Sequence, residues 1–133
     1  MDKDKLFKLA VAARNNSHSP YSQKKIGAAI LLDSGEVFSG CNLENASFGA
    51  TVCAERVAIW KAMSEKPQAK VKQVVVCSDE EIPWPPCGLC RQVLAEFSTK
   101  DCEIFCINLK NQERSFLMKD LFPEGFGPKN LLK

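Results

Sequence analysis

The sequence predicts an α/β domain in which a mixed sheet of about five strands carries helices packed on its faces. Three features predict it. Helical and strand-like apolar patterns alternate along the chain, the strand-like runs are short and in part nearly all apolar, as in sheets covered on both sides, and the last two runs are about six residues apart. At roughly 150 residues per domain, residues 1–133 are read as one domain. A composition of 45% hydrophobic and 26% charged residues excludes the disordered and collagenous classes.

The first element is an amphipathic helix from about Asp4 to Arg14, because Leu6, Leu9, Ala10 and Ala13 recur at helical spacing before the polar stretch Asn15 to Pro20. Ile26 to Leu32 and Val37 to Cys41 follow as strands of a hairpin around the turn formers Asp33-Ser34-Gly35-Glu36. A second helix runs from about Cys53 to Lys66, with Val57 and Met63 among its apolar positions and Pro67 just past its end. Gln73 to Cys77 is a third strand. Pro83 to Pro86 forms a stiff approach to a third helix, about Gly88 to Phe97, and Glu103 to Ile107 is a fourth strand. Arg114 to Met118 is a fifth. A parallel crossover needs about a dozen residues or more, whereas the short turn at Leu109 to Glu113 suffices for an antiparallel pair, so the last two strands are expected to be antiparallel.

Charge and hydropathy narrow the function classes. Eighteen basic residues against sixteen acidic ones leave +2, with no run of five or six like charges, which disfavours a nucleic-acid arm or a polybasic membrane anchor. No apolar run approaches the eighteen residues of a membrane span. Met1-Asp2-Lys3-Asp4-Lys5 lacks the pattern of an export signal, so a cytoplasmic location is expected.

The seven cysteines carry the chemistry. An odd count without an export signal points to metal ligands or buried thiols rather than to a disulfide framework. Cys41, Cys77, Cys102 and Cys106 lie in or beside apolar runs and are expected to be core thiols. Cys53, Cys87 and Cys90 stand instead at the starts of the second and third helices, where unpaired amides and the helix dipole favour the thiolate that Zn²⁺ requires. Three protein ligands are the count of a catalytic zinc site, whose remaining position takes a water with a pKa lowered towards roughly 7. Glu55 is placed to shuttle protons to and from that water. Three thiolates leave the metal with excess negative charge, which Arg56, and less directly Arg91, would draw off by hydrogen bonds to the sulfurs.

Cys53-Ala54-Glu55 followed by Pro86-Cys87-Gly88-Leu89-Cys90 is similar to the zinc-deaminase signature. Over nearly the whole chain, the sequence resembles the small homotetrameric zinc-dependent cytidine deaminases. The blocks that carry the resemblance are Ser19-Pro20-Tyr21-Ser22, Ile26-Gly27-Ala28-Ala29, Gly40-Cys41-Asn42-Leu43-Glu44-Asn45-Ala46-Ser47, Thr51-Val52-Cys53-Ala54-Glu55-Arg56 and Pro86 to Leu94. The resemblance implies the three-layer cytidine-deaminase-like fold, one zinc per subunit, and hydrolysis of cytidine or 2′-deoxycytidine to the uridine product. It also implies that Asn42 and Glu44 hold the ribose 3′-hydroxyl, and that backbone groups of Ala54 and Pro86 contact the pyrimidine edge and the leaving ammonia. Phe126 resembles an aromatic that a neighbouring subunit contributes to the pocket, within a homotetramer of dihedral symmetry.

One position departs from the pattern. Lys24 stands where the family often carries an aromatic side chain, so stacking on the base is weakened there and tolerance for N4-modified cytidines is expected. Its aliphatic stem has the alternative of covering the ring while the amine reaches solvent. Two other functions compete: deamination of another aminated heterocycle, such as a nucleoside antibiotic or a free base, and a zinc-stabilised interaction module without catalysis. Asn42 and Glu44 argue against a free base, which has no ribose. Glu55 and the three-ligand count argue against the module. His18, the only histidine, falls in a loop and is a poor ligand candidate.

Overall fold

A computed structural model describes residues 2–132; Met1 and Lys133, the ends of the expected 1–133 domain, lie outside the described residues. The elements are α1 (Lys3–Arg14), β1 (Gly27–Leu32), β2 (Val37–Cys41), α2 (Ala54–Glu65), β3 (Val71–Ser78), α3 (Gly88–Phe97), β4 (Ser98–Asn108), β5 (Glu113–Leu117), and the short α4 (Met118–Leu121) and α5 (Pro128–Leu131). One sheet takes the order β2-β1-β3-β4-β5. β1 is antiparallel to both β2 and β3, β3 and β4 are parallel, and β4 and β5 are antiparallel, as the short connection required.

Period-two alternation along the strands separates two packed layers. Ala29 and Leu31 of β1, Val75 and Cys77 of β3 and Ile107 of β4 meet Leu6 and Ala10 of α1 on one face. Their neighbours Ile30, Leu32, Val74, Val76, Ile104 and Cys106 meet Ala58, Ile59 and Leu94 of α2 and α3 on the other. The result is the expected three-layer arrangement, and it explains why all six residues of β1 are buried. Ile59 and Leu94 are fully buried, and each such side chain contributes roughly 1.5–3 kcal/mol.

Helix α1 starts where the Asp2 side chain accepts a hydrogen bond from the Lys5 amide at 2.9 Å. Two glycines set the separation between layers: a Cβ on Gly27 would lie 1.9 Å from the Ala10 carbonyl oxygen of α1, and one on Gly40 would lie 2.8 Å from the Ala58 nitrogen of α2.

Several expectations need correction. β4 begins at Ser98 rather than Glu103, because Ser98 lies opposite Val71 and the polar residues after it run on to the regular pairing at Glu103, a continuity that hydropathy does not register. β3 is extended to Val71 and Ser78, which lie opposite Ser98 and Asn108 of β4, and β5 starts one residue early. Cys53 lies just outside α2 as its N-cap. Cys77, Cys102 and Cys106 are buried core thiols, whereas Cys41, on the edge strand β2, is only half-buried. Among the described residues no helix is long and apolar enough to cross a membrane.

Candidate active site

Helices α2 and α3 pack on the same face of the sheet and begin side by side. Cys53 is the N-cap of α2 and Cys87 the N-cap of α3; both have extended backbones, and neither side chain caps a backbone amide of its helix. Cys90 follows in the first turn of α3. The three sulfurs lie within 4.8 Å of one another, with Cys53 Sγ 3.6 Å from Cys87 Sγ. Cys90 is buried, Cys53 half-buried and Cys87 exposed. Both helix starts direct unpaired amides and positive dipole ends towards this cluster.

The electrostatics favour one thiolate even without a metal. Hydrogen bonding from Cys90, and secondarily from Arg56, pulls the Cys53 thiol down to about 5, while sharing that proton and burial raise Cys90. Arg56 Nη2 lies 3.5 Å from Cys53 Sγ and donates to it. Arg91 does not join in. Its Nε donates to the Pro86 carbonyl at 2.8 Å and its Nη1 to the Leu121 carbonyl at 3.1 Å, so its guanidinium ties α3 to α4 instead of touching sulfur.

Three soft donors on two helix starts, with a guanidinium on one sulfur, suit a thiolate-rich zinc site. Cys53, Cys87 and Cys90 would hold the ion. His18 is exposed and contributes backbone bonds to Asn42 and Glu44, not a fourth ligand. Glu55, in the first turn of α2, is 3% exposed, and burial, together with the charge at Cys53, pushes its carboxyl up to about 7.

A cavity of about 300 Å³ opens onto this cluster, and its lining includes Cys53, Ala54, Glu55, Cys87, Asn42 and Glu44. Cys53, Glu55 and the Asn42–Glu44 pair are thus brought together around one space. The Asn42 amide is already engaged: Oδ1 accepts from the Ile26 amide at 2.9 Å and Nδ2 donates to the Lys24 carbonyl at 2.8 Å. The Glu44 carboxylate accepts from the Tyr21 and Ser22 amides at 3.0 and 3.1 Å and from the Ser22 hydroxyl, which holds it below the usual carboxylate range. Both side chains are therefore fixed in place by the loop before β1.

Pro86 is buried, and the adjoining cavity wall is formed by Pro85. Phe126 does not line this cavity within its own chain; it is 55% exposed, and its carbonyl accepts from Gln92 Nε2 at 2.9 Å. Lys24 does line it, but its amine is not simply solvated. Lys24 Nζ pairs with Glu80 at 3.0 Å and sits 5.8 Å from the centre of the Trp84 ring. Trp84, also a lining residue, and Glu80 were missed from sequence. The available signal was a tryptophan between prolines just before a ligand cysteine. A second cavity of about 400 Å³, beside Ala95, Thr99, Lys100 and Phe122, has no acid or thiol in its lining.

Comparison with known proteins agrees with this geometry. Residues 1–106 match the family described as the cytidine and deoxycytidylate deaminase zinc-binding region. The chain is 42% identical to the cytidine deaminase of Halalkalibacterium halodurans over 126 residues, covering 95% of each chain. It is 38% identical to that of Sporosarcina psychrophila, covering 98% of this chain and 96% of the relative. Its fold superposes on the crystal structure of cytidine deaminase from Burkholderia pseudomallei with a TM-score of 0.89 at 38% identity, covering 95% of this chain and all of the other. For the Mycobacterium tuberculosis cytidine deaminase the TM-score is 0.80 at 34% identity, covering 96% and 98%.

Proposed function

The chain belongs to the cytidine and deoxycytidylate deaminase family, and from that premise we propose that it hydrolyses cytidine and 2′-deoxycytidine to uridine and 2′-deoxyuridine, releasing ammonia. The observation that carries this reading is the buried Glu55 and a cluster of three convergent thiols, two of which, Cys53 and Cys87, line the same cavity as Glu55, Asn42 and Glu44.

Cys53, Cys87 and Cys90 would hold a zinc ion, which would supply Lewis acidity and lower the pKa of a water towards roughly 7. The remaining work falls to side chains of this chain. Glu55, poised near neutrality, takes the two protons of the attacking water in turn and passes one to the ring nitrogen and the other to the departing amine. Arg56 draws negative charge from Cys53. Asn42 Oδ1 is spent on Ser17 Oγ and the Ile26 amide, but one Nδ2 hydrogen and one acceptor position of the Glu44 carboxylate remain for the ribose 3′-hydroxyl, and the backbone of Ala54 and Pro86 reads the pyrimidine edge. Phe126, exposed in the single chain, completes the site of a neighbouring subunit in a homotetramer. Turnover of free nucleosides fits pyrimidine salvage in the cytoplasm. Lys24, in place of an aromatic, supports acceptance of N4-substituted cytidines.

The test follows ultraviolet absorbance of cytidine, 2′-deoxycytidine, cytosine and N4-methylcytidine with zinc-loaded wild type and with Glu55→Gln. Wild type is expected to consume both nucleosides and N4-methylcytidine and to leave the free base; Glu55→Gln keeps its zinc and loses roughly 10²-fold or more in rate. Silence of zinc-loaded wild type on both nucleosides overturns the reading. Strict rejection of N4-methylcytidine removes only the Lys24 argument.

A further inference from the structure

We infer that Trp84 provides the flat face on which the pyrimidine ring rests, and that Lys24 and Glu80 are the positioning pair that holds its indole. The inference takes the nucleoside-deaminase reading as given and assigns the base-stacking role to a residue outside the sequence blocks that carry the resemblance.

Among the described residues that line the cavity, Trp84 is the only one with an aromatic ring. The other tryptophan, Trp60, belongs to α2 and does not line it. Where an aromatic would be expected, the chain has Lys24, and the structure shows what the lysine does instead: its ammonium lies 5.8 Å from the Trp84 ring centre, within cation–π range. That ammonium is in turn fixed by Glu80 at 3.0 Å. Glu80 is not on a free loop. The buried Asn108 donates from Nδ2 to the carbonyls of Glu80 and Glu81 at 3.0 and 3.3 Å, anchoring the segment to the end of β4.

The Trp84 backbone is equally constrained. Pro83 and Pro85 flank it and restrict the local dihedrals. Arg114 Nη1 donates to the Pro83 carbonyl at 3.2 Å and Arg91 Nε to the Pro86 carbonyl at 2.8 Å, so the segment is tied on both sides. An aromatic platform held this way is ordered before a ligand arrives, which is the condition under which stacking is fully expressed as affinity. Arg91, which does not serve the sulfurs, thereby acquires a role on this wall.

The test compares zinc-loaded wild type with Trp84→Ala, Trp84→Phe, Lys24→Met and Lys24→Arg. Because Trp84 is 43% exposed, its replacement does not open the core, and zinc content together with thermal melting verifies this. Trp84→Ala is expected to raise KM for cytidine by roughly tenfold or more, the scale of base stacking, with a smaller change in kcat. Trp84→Phe stays within about threefold of wild type on the same grounds, Lys24→Met raises KM less than Trp84→Ala, and Lys24→Arg restores it. Independently, in a Trp60→Phe background, where Trp84 is the only indole, uridine is expected to quench the intrinsic fluorescence. An active wild type with Trp84→Ala within twofold in KM, or no quenching by uridine, overturns the assignment. A zinc-loaded wild type inert on cytidine overturns the functional reading itself, and is recognised without any Trp84 variant.

Discussion

Replacing Gly40 by alanine tests how closely catalytic geometry depends on one interlayer contact. Gly40 is in β2 opposite Ala28 and lies beneath the first turns of α2. A Cβ there would stand 2.8 Å from the Ala58 nitrogen, 2.9 Å from the Ala54 carbonyl oxygen and 2.9 Å from Val57 Cβ, against ordinary contact at 3.4 Å or more. The shortfall is therefore about 0.5 Å at three points, two backbone atoms and a Cβ, none of which a rotamer change can move. Either α2 lifts or the edge strand bows. Overpacking of this kind costs roughly 1–3 kcal/mol, and the lower chain entropy of alanine in the unfolded state returns up to about 1 kcal/mol, leaving a net loss of about 1–2 kcal/mol. The larger effect is on rate. Ala54 and Glu55 occupy the turn that is pushed, and displacement approaching 1 Å costs about 10²-fold, so a drop of about tenfold in kcat is expected. Urea denaturation of the zinc-loaded protein measures the first quantity and the cytidine assay the second. Gly49→Ala, with nothing within 4 Å of the added methyl, is the control. A Gly40→Ala protein with wild-type stability and wild-type kcat would refute the reasoning.

Two further perturbations address the charges of the site. In the metal-free chain Glu55 titrates near 7 when folded and near 4.5 when unfolded; below 4.5 both states hold the proton, between 4.5 and 7 the unfolded state releases it first, and folding loses stability as pH rises. Glu55→Gln removes that loss, so the stability difference between variant and wild type is expected to grow from pH 4.5 to pH 8 by at most about 3 kcal/mol, and a pH-independent difference in urea midpoint would contradict it. Arg56→Met deletes the donor to Cys53 Sγ and is expected to weaken zinc retention about 10–100-fold in competition with a chromophoric chelator, whereas Arg91→Met, which touches no sulfur, leaves retention nearly unchanged.

The parts of this molecule written locally were legible in the sequence. Apolar runs located every strand, the short connection after Ile107 fixed the direction of β5, and thiols at two helix starts announced a metal site. What stayed hidden depends on contacts between distant residues. Lys24 and Glu80 are 56 positions apart, and neither alone signals an ion pair beside Trp84. Arg56 and Arg91 look equivalent, each following a ligand cysteine by three or four residues, yet only Arg56 reaches a sulfur, because the Arg91 guanidinium is taken by the Pro86 and Leu121 carbonyls. Asn42 reads as a free polar side chain, although its amide is bonded to the backbone of Lys24 and Ile26. The polar start of β4 carried no hydropathy signal, since the pairing of Ser98 with Val71 of β3 is what draws it into the sheet.

The sulfur cluster described for ligation also has a redox consequence. With the Cys53 thiol near 5 and its sulfur 3.6 Å from that of Cys87, the cluster contains a ready nucleophile beside a potential disulfide partner. A bound ion would occupy those lone pairs and keep the sulfurs reduced. Once the ion leaves in the presence of peroxide or oxygen, closure to a disulfide would convert a reversible loss of metal into one that only a reductant repairs, so shelf life depends on keeping zinc and thiol reductant present together.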